Sequence, residues 1–198
     1  MRGFRRSRRG VGTTFGPAEA GLVHALVDDL LGLLEPSPGV EAGAVDLDPL
    51  VALTGLGAGA AAASPFEERP DDPVLARLFP DAYRLDEHAA ADPAVAEAAA
   101  DFRRYTAGDL AAGKVAALRT VRDTLPAAGG AVVLDDAAAQ AWLTALTDLR
   151  LVLGTRIGVT EELQERPPPV EDPRTPALEV FDFLGWLQET LVHAVAGW

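Results

Sequence analysis

The stretch AWLTALTDLRLVLGTRIGVTEE, residues 141–162, decides the fold. With Trp142 at the top of a helical wheel, Leu146, Leu149, Leu153 and Ile157 fall in one stripe, the spacing of a core-facing helix. Arg156 lands inside that stripe and Arg150 on its edge. Leu151 sits on the opposite side, beside Thr144, Asp148 and Thr155, so the back face is not fully polar. A helix that is apolar on more than one side packs against more than one neighbour.

Working outward, Ala131 to Leu134 is a short strand candidate, and Asp135 caps the helix that follows. Downstream, ERPPPVEDPRTP (165–176) reads as a stiff Pro-rich linker. A last helix follows, ALEVFDFLGWLQETLVHAV, with Phe181, Leu184, Leu191, Val192 and Val195 on one stripe and Gln188 inside it. Phe183 and Trp186 point away from that stripe, which marks them as interface residues of an expected homodimer. Upstream, Asp92-Pro93 opens a long helix to about Leu125. Gly108 and Gly113 weaken it by about 1 kcal/mol each relative to alanine, or admit a neighbouring backbone. Asp72-Pro73 caps a short helix, VLARLF. Residues 55–72 form a low-complexity, flexible linker. Gly55, Gly57 and Ala60 have G-x-G-x-x-A spacing, but Asp48-Pro49, which reads as the start of a short helix through Leu53, leaves no room for the preceding strand. Pro65 breaks the helix a dinucleotide would need.

Gly16-Pro17 opens a helix whose apolar face is Leu22, Leu26, Leu30, Leu33 and Leu34, stopped by Pro36. His24 and Asp28 on it are four apart and within reach of each other, and His24 reads as a partly buried, hydrogen-bonded histidine and not a ligand. Before it, residues 1–15 form a basic arm or hairpin, with two short strands around Ser7-Arg8-Arg9-Gly10. The expected fold is mainly α: a single domain, residues 1–198, built as a helical bundle with a small antiparallel sheet or hairpin near the N-terminus.

Composition agrees, with 48% hydrophobic residues and 6% aromatics in 198 residues. The net charge is −13, from 17 basic and 30 acidic residues. Arg2, Arg5, Arg6, Arg8 and Arg9 concentrate basic charge in the first nine positions, leaving the rest strongly acidic. The body repels nucleic acid, and the arm is the part able to grip phosphate. There are no cysteines, which removes disulfides, zinc-thiolate sites and thiol switches and fits a reducing cytoplasm. No stretch is apolar enough to span a membrane.

No catalytic constellation emerges. Ser7, Ser37 and Ser64 are loop residues outside any G-x-S-x-G elbow. His24, His88 and His193 lack metal-site spacing, no phosphate-binding glycine loop is present, and no cofactor or metal is implied. Charges set within apolar pattern carry more information, because a buried charge is costly unless paired. Arg103, Arg104, Lys114, Asp148, Arg150 and Arg156, with Asp81, Asp86, Asp101 and Glu189 as available partners, form either a buried ion-pair network or a pocket for an anion. The network predicts that Arg156→Leu is poorly tolerated unless its partner carboxylate goes too. Arg119 and Asp123, four apart, are expected to pair on a wet face.

Four blocks, DPVLARLFPDAYRLD (72–86), DFRRYTAGDLAAGK (101–114), AWLTALTDLRLVLGTRIGVTEE (141–162) and VFDFLGWLQETLVHAV (180–195), resemble an actinobacterial family of proteins of unknown function. Some of its members are described as AosR-like oxidative-stress transcription regulators. The resemblance covers about the whole chain, with variable linkers between blocks. It departs at Thr147-Asp148, where the family usually has Asn-Asp, and in lacking the cysteines to which the regulator's redox switch is attributed. The resemblance implies a non-enzymatic cytoplasmic regulator that contacts DNA, a sigma factor or polymerase. The alternatives are a helical protein–protein adaptor and a small anionic-ligand-binding protein.

Overall fold

The structure is a computed structural model, and it describes residues 2–35, 66, 70–80, 93–160, 169 and 171–197. In chain order the elements are β1 (Arg2–Ser7), β2 (Gly10–Phe15), α1 (Pro17–Leu34), α2 (Pro73–Leu78), α3 (Pro93–Thr124), β3 (Gly130–Leu134), α4 (Asp136–Ile157) and α5 (Thr175–Ala196). The protein is mainly α, with one three-stranded antiparallel sheet in the order β1-β2-β3.

Local chemistry sets the boundaries. Asp72 caps α2 by accepting from the backbone N–H of Val74 and Leu75, and Asp135 caps α4 by accepting from Ala138. Glu19 reaches back to the N–H of Gly16 at 2.6 Å, which closes the start of α1. Gly158, at φ +66°, ends α4 in the left-handed conformation. In the β1–β2 hairpin, Arg8 and Arg9 form the tip, and Gly10 takes the φ of +123° that other residues avoid.

Among the described elements, the long central helix α4 packs against all four other helices and touches β2 and β3. Trp142 is fully buried, its ring 5.6 Å from Phe4 and 5.7 Å from Phe15, and its Nε1 donates to Thr124 Oγ1 at 2.8 Å. Aromatic contacts of this kind contribute roughly 0.5–1.5 kcal/mol each beyond simple burial. The buried face of α4 is Ala139, Trp142, Ala145, Leu146, Asp148, Leu149 and Val152. Leu153 is half-buried and packs against the core as expected, whereas Ile157 is only half-buried and Arg156 is exposed, so the expected stripe gives out at its C-terminal end. The alanines carry that face because they admit close neighbours, a signal hidden when only large side chains are read.

Helix α5 is rotated relative to expectation. Its buried face is Leu184, Leu187, Leu191 and Ala194, whereas Val192 is 45% exposed. The cause is β1: Phe4 N donates to Thr190 Oγ1, and a Cβ on Gly3 would stand 2.7 Å from Thr190 Cγ2. That close approach fixes which side of α5 faces the sheet. The basic N-terminus is therefore a bound strand with Phe4 in the core, and no loose arm.

Other local expectations also change. His24 is partly buried and hydrogen-bonded as expected, but its Nε2 bonds the Leu125 carbonyl at 2.9 Å and not Asp28. Arg119 pairs with Glu35 at 2.8 Å instead of Asp123. A Cβ on Gly113 would meet nothing within 4 Å, so no backbone approaches there. Within 55–72, Phe66 is buried and stacks on Phe79 at 4.2 Å. Within 165–176, the Asp172 N–H donates to the Pro169 carbonyl and the Thr175 N–H to that of Asp172, whose carboxylate accepts from the N–H and guanidinium of Arg174. The Gly55–Ala60 spacing and the short helix expected at 48–53 lie outside the described residues.

Candidate functional site

Two charged groups flank α4. On one side, α3 carries Lys114 into the interior, where its Nζ donates to Asp148 Oδ1 at 2.6 Å. The side chains are 10% and 3% exposed. Asp148 Oδ2 has no hydrogen-bond partner. Burial pushes the Asp148 carboxyl above the usual carboxylate range, and the Lys114 hydrogen bond and charge pull it back only in part. This pair locks α3 to α4. Taking away one partner of such a pair typically costs about 3–5 kcal/mol, because the other charge is stranded.

On the other side, Arg150 is half-buried and meets α5. Its Nη1 donates to Gln188 Oε1 at 2.8 Å, and Gln188 Nε2 donates in turn to Thr147 Oγ1 at 2.8 Å. The guanidinium lies 5.0 Å from the centre of the Phe181 ring, a cation–π contact. Arg150 Nε is buried without an acceptor, which costs about 1–3 kcal/mol. No described carboxylate lies within ion-pair distance of it. Arg150 lines a cavity of about 370 Å³ together with Arg77 from α2, Leu151, Gly154, Thr155, Val159, Thr160 and Phe181. Gly154 keeps the Phe181 side of this cavity open, since a Cβ there would stand 3.1 Å from Phe181 Cε2.

Among the described residues, Arg103 and Arg104 make contacts away from these two groups. Arg103 is buried and donates to the Phe79 carbonyl at 2.9 Å. Arg104 is exposed and pairs with Asp101 along α3 at 3.2 Å. Arg156 is exposed beside Leu26 and Asp29 of α1, on a different face from Arg150. Asp81 and Asp86 lie outside the described residues. Arg77 and the positioning roles of Gln188 and Thr147 were missed by sequence reasoning. Arg77 gave only the weak signal of a cation closing a capped helix, and nothing in sequence joined it to Arg150.

On the surface, Arg2, Arg5, Arg6, Arg8 and Arg9 are all exposed on the hairpin. Arg6 alone pairs with a described carboxylate, Asp136 at the start of α4, 3.1 Å away. Ser7 stiffens the tip by donating to the Gly10 carbonyl and accepting from Arg9 N–H. On α5, Trp186 is 39% exposed and Phe183 half-buried, their rings 6.5 Å apart. Among the described residues, no group of three His, Asp or Glu could hold a metal ion, and no helix is long and apolar enough to cross a membrane.

Fold and charges together define a small helical protein that shows arginine on a stiff hairpin and on the wall of one cavity. The chain belongs to the family described as Domain of unknown function (DUF2017), which it matches over residues 1–195. It is 36% identical over 183 residues to the putative oxidative stress regulator AosR of Mycobacterium leprae, covering 90% of this chain and 79% of that one. It is 32% identical over 189 residues to the oxidative stress regulator AosR of Mycobacterium tuberculosis, covering 93% and 82%. No solved structure matches.

Proposed function

We propose that this chain is a non-enzymatic, cytoplasmic transcription regulator that works through contacts with DNA, a sigma factor or polymerase. The observation that carries this reading is kinship, at 32–36% identity over nine-tenths of the chain, with proteins named as oxidative stress regulators. The hairpin supports it physically. Arg8 and Arg9 project from a hydrogen-bonded tip of an otherwise acidic molecule, which concentrates contact with a nucleic-acid backbone on the hairpin. With no cysteine, the chain has no thiol to oxidise, and its signal must arrive by other chemistry.

The test is fluorescence anisotropy with promoter DNA at low salt, and with purified sigma factor and core polymerase. Because Phe4 is buried, deleting residues 1–9 would damage the core; Arg8→Glu with Arg9→Glu isolates the charge instead. Binding that weakens at least tenfold in this variant supports the reading, and no binding to DNA or to either protein refutes it.

A second reading, an adaptor or homodimer built on α5, is favoured by the exposed Trp186 beside Phe183. Sedimentation velocity decides it: a dimer lost in Trp186→Glu supports the apolar face as the contact, and a monomeric parent protein counts against it.

A further inference from the structure

We propose that the cavity bounded by α2, α4 and α5 binds a small organic anion, a carboxylate or phosphate monoester carried on an apolar body. Three observations converge on it. First, the molecule carries −13 overall, yet this cavity is lined by Arg77 and Arg150 and by no described carboxylate. Second, Arg150 is held rather than free. Gln188, itself bonded to Thr147, fixes one end of the guanidinium, and Phe181 lies 5.0 Å from it. A cation held by a neutral amide and a ring, with no described carboxylate beside it, is a preorganised contact and a poor structural strut. Third, Leu151, Val159 and Phe181 supply apolar wall, and about 370 Å³ falls within the size range of small-molecule sites.

The cation pair takes the ligand's charge and the apolar wall takes its body. Arg150 can present a planar fork to a carboxylate or phosphate, and Arg77 is exposed enough to close over it. Service of this site as an effector input rests on the regulatory reading above. The binding itself does not.

Isothermal titration calorimetry on the full chain tests the site with phenyl phosphate, benzoate and neutral benzamide. The expected result is saturable binding of at least one anion, benzamide at least tenfold weaker, and affinity reduced at least tenfold in Arg77→Gln and in Arg150→Gln. Arg156→Gln, on another face of α4, should bind as the parent does. No saturable binding of either anion, benzamide as tight as benzoate, or an equal loss in Arg156→Gln would each overturn the proposal. Arg77 is exposed, so its variant stays informative whether or not Arg150→Gln folds. The titration contains no DNA or polymerase, so its outcome is separate from that of the transcription assay.

Discussion

Asp148 and Arg150 are two residues apart on α4 and lie on roughly opposite sides of it, since each helical residue turns the chain by about 100°. Asp148 meets a single buried lysine at 2.6 Å, and both groups are almost closed to solvent. Arg150 meets an amide, an aromatic ring and a cavity, with no described carboxylate beside it. The first arrangement fixes one helix against another. The second keeps a charge available. Two ionic residues on one helix thus divide into a packing element and a contact group, and the partner decides which is which.

The contrast can be broken most forcefully on the Asp148 side. Lys114→Met alone should lower stability by about 3–5 kcal/mol in urea unfolding, because a buried carboxylate loses its cation. The double variant Lys114→Met/Asp148→Leu should recover most of that loss. Additive losses would show that the pair is not coupled.

A pH series sharpens the same side. The folded chain holds the Asp148 proton more tightly than the unfolded chain, whose ordinary value is 3.8. Above pH 3.8 the folded state therefore retains more protons than the unfolded state, and stability falls as pH rises through that window. Below it the contribution of Asp148 is fully present. Thermal unfolding between pH 3 and 7 should show this descending component in the parent protein and not in the double variant. Asp172 has the opposite sign: Arg174 holds its carboxyl below the usual range, so its small, exposed contribution is lost as pH falls.

On the Arg150 side the effects should be smaller. Arg150→Met forfeits the Gln188 bond and the cation–π contact but removes the orphaned Nε–H, so stability should change by less than about 1 kcal/mol. A loss as large as that of Lys114→Met would make Arg150 a strut after all. The smallest effect belongs to Arg156→Leu, expected within about 0.5 kcal/mol of the parent because the residue is exposed. This reverses the poor tolerance that its place in the apolar stripe suggested.

Much of the fold was legible. Trp142, Leu146 and Leu149 marked the core face of α4, and Asp72 and Asp135 marked helix starts, because caps and apolar periodicity act over a few residues. The hairpin was readable from Ser7-Arg8-Arg9-Gly10 for the same reason. The rotation of α5 was not, since Leu187 and Val192 exchange places only once β1 lies against Thr190. The candidate site was half legible. Arg150 stood out as a charge at the edge of an apolar stripe, but Arg77 did not, and Arg156 stood out wrongly.

The sequence by itself determined the helical class, the three short strands, the acidic body and the concentration of arginine near the N-terminus. These follow from composition and from interactions between residues close in the chain. Tertiary structure alone decided that Lys114 meets Asp148 across 34 residues, that Gln188 holds Arg150 across 38, and that Arg77 shares a cavity with Arg150. Such pairings depend on how helices are rotated and placed against one another. That is settled by close packing of the whole core, which no local pattern encodes.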